Sequence, residues 1–475
     1  MGLVLLLALV LSCRKAAVED SYSSVLEIFR DPPAEYGSAP LWVWNDRVTE
    51  TQIEEQLSDF KEKGLGGGFI HPRPGLITPY LSEEWLSLCE FTVKTGKKLG
   101  LKIWIYDENS YPSGFAGGHV PDQMPDAVRR TLVMEKHTAL PETSENAPFL
   151  MLKRSGAGFE DITGSMADRA GETGELYQFT FSEQKPTPWY GGFTYVDLMR
   201  KEVTERFLDI TMETYKKRFG GEFGKTVPGV FQDEAHIAPA VGGASLSYTP
   251  ALFEVFHDMW GYDLKVHLPS LIEETGDWRR IRHNYYAVLN HLFIEGWAKP
   301  YSQYCADHDL DFTGHYWEHD WPRPRLVPDN MAMASYAQMP GIDILMNDWS
   351  LAHNAQFGNA RSVKEIRSAA NQRGFRRTLS ETYGAGGWEM NFFDQKRIGD
   401  WEYVLGVNFL NQHLSYITLK GARKRDHPLS FSYHEPWWHA YGLLGHYFRR
   451  LSAAMSLGEN RSIRSSCWSP LRRPG

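Results

Sequence analysis

The sequence predicts an α/β protein, a (β/α)8 TIM barrel with a small β-rich insertion in the third βα loop. Strand-like apolar runs alternate with helix-like segments, and eight such runs occur between residues 41 and 419. Two of these runs, in residues 230–236 (VFQDEAH) and 378–384 (TLSETYG), end abruptly in a glutamate. Because a barrel gathers the C-terminal ends of its strands around the active site, both glutamates would meet there.

The barrel strands are predicted from their apolar runs and from the helix signals between them. Thr49 and Gln52 have the spacing of a capping box at the start of the first helix, and Gly64 ends it. Ser82 and Gly100 delimit the second helix in the same way. The predicted strands are residues 41–44, 67–71, 101–106, 229–231, 310–316, 342–346, 377–380 and 414–419.

The alternation of strands and helices breaks between residues 131 and 195. Strand-like runs at 131–134 and 176–181 are separated there by polar and glycine-rich stretches. Loops on the catalytic side of a barrel tolerate insertions, so we expect a β module at this point. The chain then divides into a signal segment (1–13), a linker (14–37), the barrel (38–461) with its inserted module (131–195), and an irregular tail (462–475). The tail has no period, which indicates a disordered end or a truncated or frameshifted gene.

The first residues indicate export. Residues 3–11 are continuously apolar, are too short to cross a bilayer as a helix, and lead into Cys13. This pattern resembles a bacterial lipoprotein signal in which Cys13 becomes the lipidated first residue, and an ordinary secretory signal is the alternative. We therefore expect a protein of the bacterial periplasm or cell surface whose membrane contact is a lipid anchor.

Composition argues against two kinds of site. The 475 residues carry a formal net charge of −9, and no block of lysine and arginine resembles a nucleic-acid footprint. The four cysteines form no CxxC pair and no HExxH motif occurs, so zinc has no support. Aromatic residues are abundant, and sugar rings pack on aromatic faces. Candidate sugar platforms, each with core packing as the alternative, are Trp44, Trp317, Trp349 and Trp388.

Glu234 and Glu381 are the candidate catalytic pair. Two carboxylates that converge at a barrel mouth can cleave a glycosidic bond, one as acid and the other as base or nucleophile. Asp233 precedes Glu234, and a neighbouring negative charge raises the pKa of a glutamate, which suits a general acid. Glu381 then suits the base. The residues alone leave inverting and retaining chemistry open, and a charge at a strand end can also be purely structural.

Other polar residues follow the strand ends. Asp107, Glu108 and Asn109 come directly after the third strand and offer oxygen atoms to sugar hydroxyls or to calcium, unless they cap the loop that follows. Glu318 is the main rival of Glu381 as base. No metal ligand is assigned. The candidates for substrate binding, for which capping or salt bridging is the alternative, are Asp107, Glu108, Asn109, His71, Arg73, Asp233, Trp317, Glu318, Asn347 and Asp348.

Six motifs occur in an order that matches a known family. They are PLWVWND, GGGFIHPR, WIYDENSYPSGFAGG, VFQDEAH, SETYGAGGW and NQHLSYITLKGARKRDHP. Across residues 38–461 the chain resembles glycoside hydrolase family 106, the α-L-rhamnosidases. The resemblance implies an inverting hydrolase that holds Ca2+ at the substrate site and releases terminal α-L-rhamnose from a plant-type polysaccharide or glycoconjugate. The family usually continues beyond the barrel into β-sandwich domains.

Two further functions stay open at this point. One is a surface lipoprotein that binds a glycan without cutting it, and the other is a barrel glycosidase of different sugar specificity. A binder releases no sugar from a rhamnoside, so incubation with such a substrate separates the hydrolase from the binder.

Overall fold

The computed structural model describes residues 22–141, 148–352 and 355–457, so Cys13 and the predicted tail lie outside the described residues. The strands are β1 (Leu41–Trp44), β2 (Gly67–Pro72), β3 (Lys102–Tyr106), β4 (Arg130–Ala139), β5 (Leu150–Ser155), β6 (Gly158–Asp161), β7 (Thr173–Glu183), β8 (Gly229–Asp233), β9 (Ser245–Tyr248), β10 (Asp311–His315), β11 (Met339–Ile344), β12 (Leu379–Thr382), β13 (Phe409–Gln412) and β14 (Ser415–Tyr416). The helices are α1 (Tyr22–Arg30), α2 (Glu50–Glu62), α3 (Glu83–Leu99), α4 (His119–Gln123), α5 (Lys201–Ile210), α6 (Met212–Phe219), α7 (Leu252–Trp260), α8 (Leu268–Ile272), α9 (Trp278–Phe293), α10 (Lys299–Asp307), α11 (Asn330–Ala334), α12 (Ala360–Arg373), α13 (Phe392–Leu405) and α14 (Gly442–Leu457).

Nine of these strands form one parallel sheet that closes on itself as a barrel. Their hydrogen-bonded order is β13, β12, β11, β10, β8, β3, β2, β1 and β14. Only His413 and Leu414 separate β13 from β14, so the two segments act as one interrupted strand that pairs with β12 on one side and with β1 on the other. The amide of Ala39 also donates to the carbonyl of Leu410 (3.1 Å). The predicted (β/α)8 barrel is confirmed.

The sixth barrel strand is shifted from its predicted position. β11 spans Met339–Ile344 instead of residues 342–346. Proline and glycine are depleted in strands, so Pro340 and Gly341 disguised its beginning. The shift matters because it makes Asp343 the penultimate residue of the strand and brings its carboxylate to the barrel mouth.

The eighth barrel strand also begins earlier than predicted. It starts at Phe409, whereas the predicted run was residues 414–419. Asn411 and Gln412 interrupt the apolar pattern of the sequence, although both side chains are buried. His413 therefore follows the end of β13 directly.

Alternation along each strand separates two cores. Leu41 and Val43 of β1 point into the barrel, where they join the interior cluster around Phe69. Trp42 and Trp44 point the other way, into the larger core between the barrel and its helices. Trp44 is 0% exposed. Its expected role as a sugar platform is therefore wrong, and core packing is its role.

The insertion is an antiparallel sheet of five strands in the order β6, β5, β7, β4 and β9. Four of them come from the third βα loop. The fifth, β9, comes from the loop after β8, outside the boundaries 131–195 that the sequence indicated, and it pairs with β4. Two neighbouring βα loops thus build one module beside the barrel mouth.

The stretch interpreted as a linker (14–37) contains a helix in its described part. α1 ends at Arg30, and Ala34–Tyr36 forms a single 3-10 turn. The guanidinium of Arg449 in α14 donates to the carbonyl of Pro33 (3.1 Å). This segment is therefore attached to the last helix and is not an extended linker.

The local signals at the helix ends are confirmed. The side chain of Thr49 accepts the amide of Gln52, and the side chain of Gln52 accepts the amide of Thr49. Ser82 caps α3, which ends at Gly100 in the left-handed conformation (φ 76°). Within the three described ranges, no helix is both long enough and apolar enough to pass through a membrane.

Candidate active site

The period of two along the strands brings polar side chains together at the barrel mouth. Phe69, Trp104, Phe231 and Leu379 fill the barrel interior. Residues two positions later share the same face of the sheet. On those four strands they are the buried residues His71, Tyr106, Asp233 and Glu381.

His315, the last residue of β10, lies between three carboxylates. Its Nε2 is 2.9 Å from Oε2 of Glu381 and 3.4 Å from Oδ1 of Asp233. Its Nδ1 faces Oε1 of Glu234 at 3.8 Å. All four side chains are at most 8% exposed. The imidazole therefore separates the two candidate catalytic glutamates and, when protonated, offsets part of their charge.

Glu234 leaves β8 in a left-handed backbone conformation, with φ +48°. For a residue other than glycine, this conformation costs about 1–3 kcal/mol. Simple alternation would turn the residue after Asp233 away from the barrel mouth, whereas this backbone turn keeps both carboxylates beside His315. The hydroxyl of Tyr111 donates to Oε2 of Glu234, and the amide of Glu234 donates to the carbonyl of His315 (3.1 Å). Strain held in place by such contacts is typical of functional sites.

Burial and charge set the protonation of this group. Burial raises the pKa of Glu234 well above its ordinary value, and the charge of Asp233 acts in the same direction. Burial also raises the pKa of Asp233 to about 6, helped by the charge of Glu381. Burial alone would lower the pKa of His315, but its hydrogen bond to Glu381 and the surrounding negative charges raise it well above its usual value. A protonated Glu234 can therefore coexist with a cationic His315.

Asp343 forms a second group with Glu234 and His319. One potential ligand atom from each lies within 4.8 Å of the others. Oδ1 of Asp343 and Nδ1 of His319 are buried and have no hydrogen-bond partner among the described residues. Burial raises the pKa of Asp343 well above its ordinary value and lowers the pKa of His319 to about 4. A sugar hydroxyl or a cation bound between them could satisfy both of these atoms.

Glu318, the rival of Glu381 as base, supports the backbone. Its Oε1 accepts the amide of Asp343 (2.6 Å). Because one of its carboxylate oxygens holds β11 in place, Glu318 fits a positioning role better than a role in activating water.

The structure corrects the expected role of Asp107. This carboxylate is fully buried and accepts hydrogen bonds from the hydroxyls of Ser113 (2.5 Å) and Tyr301 (2.9 Å). Both of its oxygens are therefore occupied by the protein, and they are open neither to sugar nor to calcium.

Glu108 supports the loop and does not face a substrate. Glu108 is fully buried and accepts the backbone amides of Asn109 and of residues 114–117. The side chain of Asn109 lies beside Gly117. Glu108 therefore caps the loop, as the alternative prediction had it, because its carboxylate accepts hydrogen bonds from five backbone amides of that loop.

Arg73 contacts an acid, which corrects its expected role in substrate binding. It makes a bidentate pair with Asp426, with Nε–Oδ2 at 2.5 Å and Nη2–Oδ1 at 2.8 Å. Its Nη1 lies 3.0 Å from Nε2 of His71. His71 is fully buried, with its ring centroid 3.8 Å from that of Tyr106. Arg73 and His71 therefore brace the floor of the site.

The candidates after the sixth strand lie beyond the corrected end of β11. Oδ1 of Asn347 accepts from Arg397 (2.6 Å), and Asp348 is exposed. Trp317 is partly buried, and its indole Nε1 donates to the carbonyl of Glu234 (3.3 Å). Trp317 therefore helps to hold the strained backbone of the candidate acid.

Three residues of the site were missed by sequence reasoning. Asp343 was missed because its strand was predicted to end at residue 346, two residues beyond its actual end at Ile344. Tyr111 lies in an irregular loop, where spacing along the chain does not predict direction. Asp426 is 353 residues away from its partner Arg73. A corrected register for the sixth strand would have found the first, and no local pattern indicates the other two.

The arrangement is suited to acid–base hydrolysis. The raised pKa of Glu234 favours its protonated form. One oxygen of Glu381 lies 2.9 Å from Nε2 of His315, and its other oxygen faces Nε2 of His413 at 3.4 Å. The carboxyl groups of inverting glycosidases stand roughly 6.5–9.5 Å apart, against about 5–5.5 Å in retaining enzymes. Glu234 and Glu381 face opposite nitrogens of the His315 ring.

Two known proteins resemble this chain at low identity. A rhamnosidase from Novosphingobium sp. PP1Y has 15% sequence identity and superimposes with a TM-score of 0.68, over 91% of this chain and 60% of that one. A putative beta-glucuronidase from Formosa agariphila is 21% identical over 510 residues, which cover 91% of this chain and 42% of the relative. The first similarity shows a shared fold. The chain spans less than two thirds of the length of either protein.

The family assignment comes from the sequence itself. The sequence model of a family described as alpha-L-rhamnosidase matches residues 177–461, from within β7 to beyond the end of α14. The match covers more than half of the chain. The protein therefore belongs to glycoside hydrolase family 106, the α-L-rhamnosidases.

Proposed function

We propose that this protein hydrolyses terminal α-L-rhamnosides with inversion of configuration. The observation that carries the proposal is the position of Glu234 and Glu381 on opposite nitrogens of His315 at the barrel mouth. Family membership supports rhamnose as the sugar. The activity of the whole protein and its natural glycan, which we expect to be a plant-type polysaccharide or glycoconjugate, are part of the same proposal.

Glu234 serves as the general acid. Its raised pKa favours the protonated form, and the hydroxyl of Tyr111 donates to its carboxyl group. As the bond between the anomeric carbon and the glycosidic oxygen breaks, Glu234 gives its proton to that oxygen. The leaving group then departs as a neutral alcohol from an oxocarbenium-like transition state.

Glu381 serves as the general base. It takes a proton from a water molecule that attacks the anomeric carbon on the face opposite to the leaving group. His315 and His413 hold its two oxygens, so the carboxylate is already oriented before the substrate arrives. One turnover leaves Glu234 deprotonated and Glu381 protonated, and exchange with solvent restores both.

A glucuronide is the second candidate substrate, because one relative is described as a putative beta-glucuronidase. The charge of the site favours a neutral sugar. Arg73 is already paired with Asp426. A uronate would add its own negative charge to a group of acidic side chains, which costs energy unless a cation compensates it. These acidic side chains are Asp233, Glu234, Glu318, Asp343 and Glu381.

Calcium is proposed as a cofactor from the resemblance, with a revised location. The loop at Asp107 and Glu108 does not fit an ion, because its oxygens are occupied. Asp343 fits better, since its Oδ1 is buried and has no hydrogen-bond partner. Calcium takes six to eight oxygens, so sugar hydroxyls and water would complete the shell. An ion held there would fix two hydroxyls of the sugar ring.

We also propose export with a lipid anchor at Cys13, on the basis of the apolar run in residues 3–11. Metabolic labelling with a fatty acid should mark the wild-type chain and not Cys13→Ala. Labelling of both chains would place the lipid elsewhere, and labelling of neither would support an ordinary secretory signal.

Glu234→Gln removes the proton donor and keeps an oxygen for Tyr111. For rhamnosides with sugar leaving groups we expect kcat/KM to fall about 10²–10⁴-fold. An activated nitrophenyl rhamnoside needs little protonation, so its turnover should fall far less. The wild-type rate on the poor leaving group should be present below the raised pKa of Glu234 and decline as pH rises through it. The variant should lack this decline in a series of initial rates at increasing pH.

The same assay separates the competing functions. Wild-type protein should release rhamnose from the aryl rhamnoside and no sugar from the matching aryl glucuronide. A pure glycan binder would release nothing from either. Equal losses of Glu234→Gln on good and poor leaving groups would contradict the acid role.

Glu381→Gln and Glu318→Gln form a matched pair that tests the base. Water must be activated for every leaving group, so Glu381→Gln should lower kcat at least about 100-fold on both activated and unactivated substrates. Glu318→Gln keeps an acceptor for the amide of Asp343 and should lose less than about tenfold. A larger loss for Glu318→Gln, measured as steady-state kcat, would transfer the base role to Glu318.

Asp343→Asn tests the calcium proposal, with the exposed Asp348→Asn as its control. Binding to the folded state raises the melting temperature. We therefore expect calcium to raise the melting temperature of wild type and of Asp348→Asn more than magnesium does, and to leave Asp343→Asn unchanged. Exhaustive chelation should lower turnover reversibly. If calcium leaves the wild-type melting temperature unchanged and chelation leaves its turnover unchanged, the ion has no part in the mechanism.

A further inference from the structure

A compact turn at the end of the inserted module lies against the loop that carries Tyr111. The turn spans residues 187–193, where the amides of Thr187 and Gly192 bond to the carbonyls of Phe193 (3.0 Å) and Thr187 (2.9 Å). The ring of Tyr190 in this turn is buried. The turn is therefore closed by its own backbone and anchored by one aromatic side chain.

The anchor connects the turn to the catalytic side of the barrel. The ring of Tyr190 packs edge-on against Phe115 (5.5 Å between centroids) and stacks on Tyr195 (5.5 Å). The hydroxyl of Tyr195 donates to the carbonyl of Ser113 (2.7 Å). Phe115 and Ser113 belong to the loop whose amides Glu108 gathers. The position of the turn is thereby fixed relative to the catalytic loop.

This fixed turn presents an indole to solvent beside the candidate acid. Trp189 is 67% exposed, although its neighbour Tyr190 is buried. Its ring meets the ring of Tyr111 edge-on, with centroids 6.0 Å apart and an interplanar angle of 87°. The hydroxyl of Tyr111 donates to Glu234. One aromatic ring therefore connects the exposed indole to the proton donor.

The position of the acid tells which part of a substrate comes near Trp189. A general acid protonates the glycosidic oxygen, which departs with the leaving group. The leaving group must therefore lie on the side of Glu234, away from Glu381. A sugar ring presents C–H faces that pack on an aromatic ring, and an indole offers a large rigid face for such packing.

We propose that Trp189, presented by the inserted module and backed by Tyr111, forms the subsite that binds the first sugar of the leaving group. The ligand class is a pyranose ring linked through its oxygen to the terminal rhamnose. The subsite rests on the proposed hydrolase function and assigns a role in substrate selection to the insertion. The kcat/KM of a substrate whose leaving group is too short to reach Trp189 does not depend on this side chain.

The test compares Trp189→Ala with wild type on a rhamnosyl disaccharide and on methyl α-L-rhamnoside. We expect kcat/KM for the disaccharide to fall about tenfold, equivalent to about 1.4 kcal/mol. The value for the methyl glycoside should stay within about twofold, since its leaving group is too small to reach the indole. Trp189→Phe should recover most of the lost activity, because a flat ring remains.

Trp260→Ala is the matched control, since Trp260 is a partly exposed tryptophan at the end of α7, in contact with His283. It should behave as wild type on both substrates. Equal losses of Trp189→Ala on both substrates, or no loss on the disaccharide, would overturn the subsite.

Failure of the hydrolase proposal gives a different result from failure of the subsite. Wild-type protein would then release no rhamnose from either substrate, and calorimetric binding of the disaccharide would test the Trp189 subsite without hydrolysis. A dissociation constant about tenfold weaker in Trp189→Ala would support the subsite. Equal affinities, or no binding by either protein, would overturn it.

Discussion

The contact of His315 with three carboxylates is the constraint on which the rest of the site depends. Asp233, Glu234 and Glu381 are all buried at the end of the barrel, and each buried charge costs several kcal/mol in lost hydration. A cationic imidazole at 2.9 Å from Glu381 and 3.4 Å from Asp233 offsets that cost for two of them. Glu234 lies further from the ring, at 3.8 Å, and burial raises its pKa well above its ordinary value, as a proton donor requires. In the proposed mechanism Glu234 and Glu381 thus take opposite roles, as acid and base, because they lie at different distances from the His315 ring.

The loop after β3 is the second element that the site requires. Glu108 gathers five backbone amides of this loop and fixes its path, although it touches no substrate. The path carries Tyr111 to the carboxyl group of Glu234 and supports the turn of the inserted module. Glu108 thus fixes the loop from within, and Tyr111 of the same loop contacts both Glu234 and the exposed Trp189.

The sequence was sufficient for the architecture and for the position of Glu234 and Glu381 at the barrel mouth, because both depend on local patterns. Glu234 and Glu381 each end an apolar run, and a barrel turns that position along the chain into a position in space. The roles of Glu108 and Arg73 could not be found in this way, because they depend on a loop conformation and on a partner that is distant in sequence. Asp343 was missed for a third reason, since the predicted end of its strand, at residue 346, lay beyond the actual end at Ile344. Local patterns locate the ends of strands, whereas the direction of each polar side chain depends on the tertiary contacts it makes.

The most direct test of the paired-glutamate site is the anomeric configuration of the first sugar released. Hydrolysis of an aryl α-L-rhamnoside can be followed by proton NMR before mutarotation mixes the two anomers. Because Glu381 is placed to activate water across His315 from Glu234, we predict that β-L-rhamnose appears first and that the α anomer grows in later. Initial appearance of α-L-rhamnose would show retention of configuration. It would contradict the assignment of Glu381 as the base that activates water.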